Sequence, residues 1–136
     1  MAIQFAPKMG TIVTVDFDQG FREPEMVKRR LAVVISPPIS ERGNLVTVVP
    51  LSTTDPKTIM PYHCKITIPF ALPAYWTKKE CWVKGDMVNA VGFHRVDLLC
   101  LGKGADGRRI YQKETLSLAM IAQIRACVLH SLGIKP

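Results

Sequence analysis

Leu31-Ala-Val-Val-Ile35 is a run of five apolar residues, three of them β-branched, closed off by Pro37-Pro38. A run of this kind predicts a strand buried on both faces, and the two prolines cannot continue it. A strand covered on both sides is a central strand, so the rest of the chain must supply the sheet around it. Lys28, Arg29 and Arg30 lead directly into this run, which presents three cations from a fixed support. A guanidinium held in this way suits a phosphodiester, because its planar donor fork matches two phosphate oxygens and stays charged at any working pH. A solvated basic loop ahead of a strand has the same composition, and charge alone does not separate the two.

The chain's 136 residues suffice for one hydrophobic core, and a single domain over 1–136 is expected. With 48% hydrophobic and 21% charged residues the composition is that of a folded domain. A formal charge of +7 favours an anionic partner, nucleic acid before a membrane surface or an acidic protein. The first residues, Met-Ala-Ile-Gln-Phe-Ala-Pro, lack a cationic leader followed by an apolar run, and no segment reaches the roughly 18 apolar residues that span a bilayer. The expectation is a cytoplasmic protein. Cys64, Cys81, Cys100 and Cys127 stand far apart in apolar surroundings without a C-x-x-C pair, the pattern of buried reduced thiols rather than zinc ligands.

In chain order, Gly10 to Phe17 alternates as a strand, and Asp18 to Val27 follows as a long charged loop. Leu45 to Ser52 is a β-branched strand in which Pro50, with no N–H to donate, is expected at an edge or bulge. Tyr62 to Ile68 alternates again, Phe70 to Glu80 is irregular, and Cys81 to Val91 reads as one strand with Trp82, Lys84 and Asp86 on one face. Gly92 to Arg95 forms a corner and Gly102 to Gly107 a hairpin loop. A helix then runs from an N-cap at Ser117 to Gly133, with Met120, Ile121, Ile124, Val128 and Leu132 along one stripe. Five or six short strands and one amphipathic helix describe a mainly β (α+β) fold: a strongly bent antiparallel sheet or partly closed barrel with the helix docked on it.

Three features in this order, Gly-x-Ile-Val at residues 10–13, the charged loop ending in Arg30 and the strand ending Val-Val-Pro-Leu-Ser-Thr at 48–53, together resemble the MazF/PemK/Kid toxins. The resemblance implies an SH3-like barrel shared with the CcdB toxins. It also implies a homodimer, and a ribonuclease activity held in check by an acidic antitoxin protein. It places the catalytic pair on Arg30 and Ser52, with Thr53 beside them, and makes Lys84-Gly85-Asp86 the counterpart of a cation-x-Asp pair in Kid-like members. The family arginine is normally followed by proline where this chain has Leu31, so either Arg29 or Arg30 can be the catalytic cation.

Metal-independent cleavage of single-stranded RNA needs attack by the ribose 2′-hydroxyl, leaving a 2′,3′-cyclic phosphate and a 5′-hydroxyl. Arg30 and Ser52 are the candidates for stabilising charge on the phosphoryl oxygens and Asp86 for a base, with Arg22, Lys28, Arg29, Thr53 and Lys84 as RNA contacts. His94 is an alternative base, although its position at a corner favours a hydrogen-bonded structural role. Tyr75 and Trp76 fit base stacking and capping of the barrel alike. No acidic cluster able to hold two magnesium ions is visible and no cofactor is expected. The competing function is a non-catalytic SH3-like module for nucleic acid or protein, or a CcdB-like gyrase inhibitor.

Overall fold

The computed structural model describes residues 2–136. The central apolar run forms β2 (Arg29–Val34), whose last four residues are buried. Leu31 and Val33 belong to one core cluster and Ala32 and Val34 to a second, so this strand is covered on both faces, as the run of apolar residues predicts.

Around it stand β1 (Ile12–Asp16), β3 (Leu45–Ser52), β4 (His63–Thr67), β5 (Glu80–Lys84), β6 (Asn89–Gly92) and β7 (Val96–Leu98). They make one seven-stranded antiparallel sheet in the order β4-β5-β3-β2-β1-β7, with β6 also paired to β3. The sheet bends but stays open, with β4 and β7 at its ends. A separate hairpin of β8 (Cys100–Lys103) and β9 (Arg109–Tyr111) brings the described strands to nine, more than the five or six expected, because several are only three or four residues long.

Pro50 is neither at the sheet's edge nor in a bulge. It is buried inside β3, opposite Ala32 of β2. On its other side β3 changes partner, pairing with β6 through Val48 and with β5 from Leu51. The residue without an N–H lies between the two ladders, where no bond is required of it.

Helix α1 (Leu118–Ser131) begins at Ser117, whose Oγ accepts the Met120 N–H at 3.2 Å, a cap worth about 1 kcal/mol. Ile121, Ile124 and Cys127 are buried against β4, β5 and the core between them. Leu132, expected on the stripe, is instead exposed at the helix end. Gly133 (φ 74°) follows, donating to His130 O, while Ile134 N–H donates to Leu129 O, a left-handed stop. The four cysteines are free thiols, and Cys64 of β4 packs against the core cluster that holds Cys127 of α1.

Cys81 to Val91 is not one strand. After Lys84 the chain turns through a 3₁₀ turn at Gly85–Met87 before β6, so Lys84 and Asp86 do not share a strand face. The break falls where α1 crosses the sheet: a Cβ on Gly85 would lie 2.7 Å from Tyr62 O and 2.8 Å from the backbone and Cβ of Cys127. Only a residue without a side chain lets the helix approach this closely. Gly85→Ala should therefore destabilise the fold by about 1–3 kcal/mol as overpacking does, read as a lower midpoint in urea unfolding with an unchanged slope.

Candidate functional site

The cations of the sequence motif separate on folding. Arg29 points to one side of β2 and forms an ion pair with Asp97 of β7 across β1. Arg30, next on the strand, has its Nε donating to Val27 O at 3.1 Å and is among the residues lining a cavity of about 270 Å³. Lys28 sits ahead of both with φ 72°, an uncommon conformation for a side-chain-bearing residue. Its carbonyl accepts the Phe17 N–H at 2.9 Å and closes the foot of the β1–β2 loop.

The cavity lies where β2 begins, β3 ends and β5 begins. Thr53 stands beside Arg30 in its wall, Leu31, Leu51 and Cys81 form its apolar floor, and Tyr75 and Trp76 cover it. The covering connection is tied down: Trp76 N–H donates to Pro73 O, Ile68 N–H to Lys79 O, and Gln112 Nε2 to Ala71 O at 2.7 Å. Trp76 packs against the core while also lining the cavity. Tyr75 is 81% exposed.

Ser52 is buried and does not line the cavity; its Oγ accepts the Thr54 N–H at 3.1 Å. The strand register places it nonetheless. Ala32 pairs with Pro50, and two further steps of that antiparallel register set Arg30 opposite Ser52. Ser52 pairs with Trp82, and Trp82 with Lys65. Arg30, Ser52, Trp82 and Lys65 thus form one row across four adjacent strands. Lys65 Nζ lies 5.6 Å from the Trp82 ring centre and bonds Glu80 at 2.9 Å, while the Trp82 indole donates to Asp55 at 2.7 Å. Trp82 and Lys65 were not among the candidates from sequence. Their alternation was visible, but the pairing of β4, β5 and β3 that aligns them with Arg30 was not.

The remaining candidates lie elsewhere. Asp86 is exposed and lines a second groove with Pro24, Glu25 and Met26, sharing no residue with the Arg30 cavity. Lys84 is opposite His63, whose Nδ1 accepts the Met60 N–H at 3.1 Å. Arg22 is exposed in a turn where its N–H donates to Glu25 and its carbonyl accepts the Glu25 N–H. The loop between is anchored by Arg95, which donates to Asp16 O and Gln19 O and lies 4.8 Å from the Phe21 ring. His94 is exposed, its ring over Gly92, away from the cavity. Among the described residues no group of three or more His, Cys, Asp and Glu stands where it could hold a metal, and no helix is long and apolar enough to cross a membrane.

Residues 8–132 match the family of PemK-like, MazF-like toxins of type II toxin–antitoxin systems. The chain belongs to that family. This MazF-like chain is 28% identical to the uncharacterized Escherichia coli K12 protein YifN over 151 aligned residues, covering 98% of this chain and 96% of YifN. Its fold is similar to that of MazF from Deinococcus radiodurans, at TM-score 0.62 and 20% identity over 96% of this chain and all of that one. It is similar also to a mycobacterial endoribonuclease in complex with its cognate antitoxin, at TM-score 0.58 and 16% identity, covering 96% and 99% of the two chains. At these identities the solved structures speak to the fold: a mainly β antiparallel sheet, partly open, with a C-terminal helix.

Burial holds the His63 imidazole below its ordinary value of 6.5, and the Lys84 ammonium adds to the shift. The unfolded chain then binds a proton more readily than the folded one, so this residue costs nothing above pH 6.5 and weakens the fold as pH falls below it. His63→Gln should flatten the loss of stability between neutral pH and the mildly acidic range, measured as urea midpoints at several pH values.

Proposed function

We propose that this MazF-like chain is a metal-independent endoribonuclease that cuts single-stranded RNA, working as a homodimer and silenced by an acidic antitoxin protein. The observation that carries the reading is Arg30, held at the end of a central strand by its bond to Val27 O, beside Thr53 in an aromatic-covered cavity. A phosphate contact alone requires only cations. Here a fixed guanidinium stands with a hydroxyl and with an aromatic and a cation continuing its row, which is what a strand of RNA would need along its path.

In this reading the Arg30 fork binds the scissile phosphate and stabilises the charge that builds on its oxygens as the 2′-hydroxyl attacks. Thr53 is the hydroxyl on the cavity wall. Ser52 supports it, because its bond to the Thr54 N–H shapes the chain just after β3. Trp82 stacks a neighbouring base and Lys65 contacts a phosphate further along, with Lys28 and Lys84 as outer contacts. Arg29 is occupied with Asp97 and acts on the strand's placement. Asp86, in the other groove with Glu25, is placed to meet the loop that carries Arg22 rather than the phosphate held by Arg30.

Fluorescent single-stranded RNA should be cut in EDTA, giving a 2′,3′-cyclic phosphate and a 5′-hydroxyl. Loss of cutting on chelation, with recovery in magnesium, would sink the mechanism. Arg30→Lys keeps the charge but not the two parallel donors, and should lower kcat by about 10²–10³. Arg29→Lys should leave kcat within a fewfold of the parent. The opposite ranking would move the catalytic role to Arg29, and small equal effects would favour a binding module.

A further inference from the structure

Tyr75 is the feature that neither the fold nor the cleavage chemistry uses. Its ring is held edge-on to Trp76, with centres 4.9 Å apart and planes at 83°, yet 81% of the residue faces solvent. It is a large aromatic surface presented to solvent on an anchored connection, at the mouth of the cavity.

Beneath it the cavity is small. At about 270 Å³ it falls just under the roughly 300–1,000 Å³ of pockets that take drug-sized ligands, the right scale for one nucleobase. The floor of Leu31, Leu51 and Cys81 accepts a ring's faces, and Trp76 offers a stacking wall. Its charged lining residues are Arg30 and Lys78, which only donate hydrogen bonds, and no carboxylate lines it. A base edge that presents carbonyl oxygens is matched to such a lining. Adenine has no carbonyl oxygen, and beside its ring-nitrogen acceptors it presents an exocyclic amine, a donor facing donors.

We propose that this cavity binds one keto base of the RNA, uracil or guanine, against Trp76 and beside Tyr75 at its mouth, and so selects the nucleotide next to the scissile phosphate. The proposal rests on the ribonuclease reading through Arg30, which lines the cavity and is also the phosphate contact. It predicts that choice of cleavage site at one position is set by Lys78 and Tyr75.

The test uses hexamers of 2′-O-methyl uridine and 2′-O-methyl adenosine, which cannot be cut because the nucleophile is blocked. Binding is followed by the tryptophan fluorescence of the full chain, with Trp76→Phe as the control that assigns the signal to Trp76. The uridine hexamer should quench Trp76 and bind about tenfold or more tightly than the adenosine hexamer. Tyr75→Ala, at an exposed position, should weaken uridine binding by about tenfold while Tyr75→Phe retains it. Lys78→Met should remove the preference for uridine. Equal affinity for the two hexamers, absence of quenching at Trp76, or indifference to Tyr75→Ala would overturn the subsite. Because these ligands are never cut, failure here is distinct from failure of the ribonuclease reading, which shows as intact ordinary RNA.

Discussion

Everything that gathers the candidate site depends on how β3 satisfies its backbone. An eight-residue strand inside a sheet needs partners on both sides, and this one carries a proline. The chain meets both demands by giving β3 one neighbour, β2, on one side and two in succession, β6 and β5, on the other. Pro50 stands at the changeover. The β5–β4 pair continues from the last two residues of β3. This is why Ser52, Trp82 and Lys65 line up with Arg30 although they come from four strands.

A second constraint sorts the charges. Arg29 and Arg30 are neighbours in sequence and opposite in fate, because successive strand residues face opposite ways. Arg29 is matched by Asp97 of β7, while Arg30 bonds Val27 O and is among the residues lining the cavity. The net charge of +7 therefore says little about where an anion would sit. Lys65 and Arg108 also have carboxylates nearby, Glu80 at 2.9 Å and Asp106 at 3.9 Å. Such exposed pairs contribute little stability. Their effect is local, lowering the positive potential around particular cations.

The close passage of α1 over Gly85 links this geometry to the core. It holds β4 and β5 against the helix through Ile121, Ile124 and Cys127 and forces the turn that separates Lys84 from Asp86. A continuous strand would have set those two side chains on one face near the row. The turn sends Asp86 to the groove beside the β1–β2 loop instead.

Local chemistry determined a good deal. The apolar run after Arg30 required a strand covered on both faces, Ser117 and Gly133 bounded the helix, and the ordered motifs marked a MazF-like toxin. Each depends on residues within a few positions of one another, or on their order along the chain. Alternation likewise put Arg29 and Arg30 on opposite sides of β2. Where each of the two ends up was decided by tertiary structure alone, Arg29 at the distant Asp97 and Arg30 among the residues that line the cavity. So were the partner change at Pro50, the break at Gly85 and the row from Arg30 to Lys65. Strand pairing and helix crossing join residues tens of positions apart, and nothing in the local pattern of either partner encodes the register in which they meet.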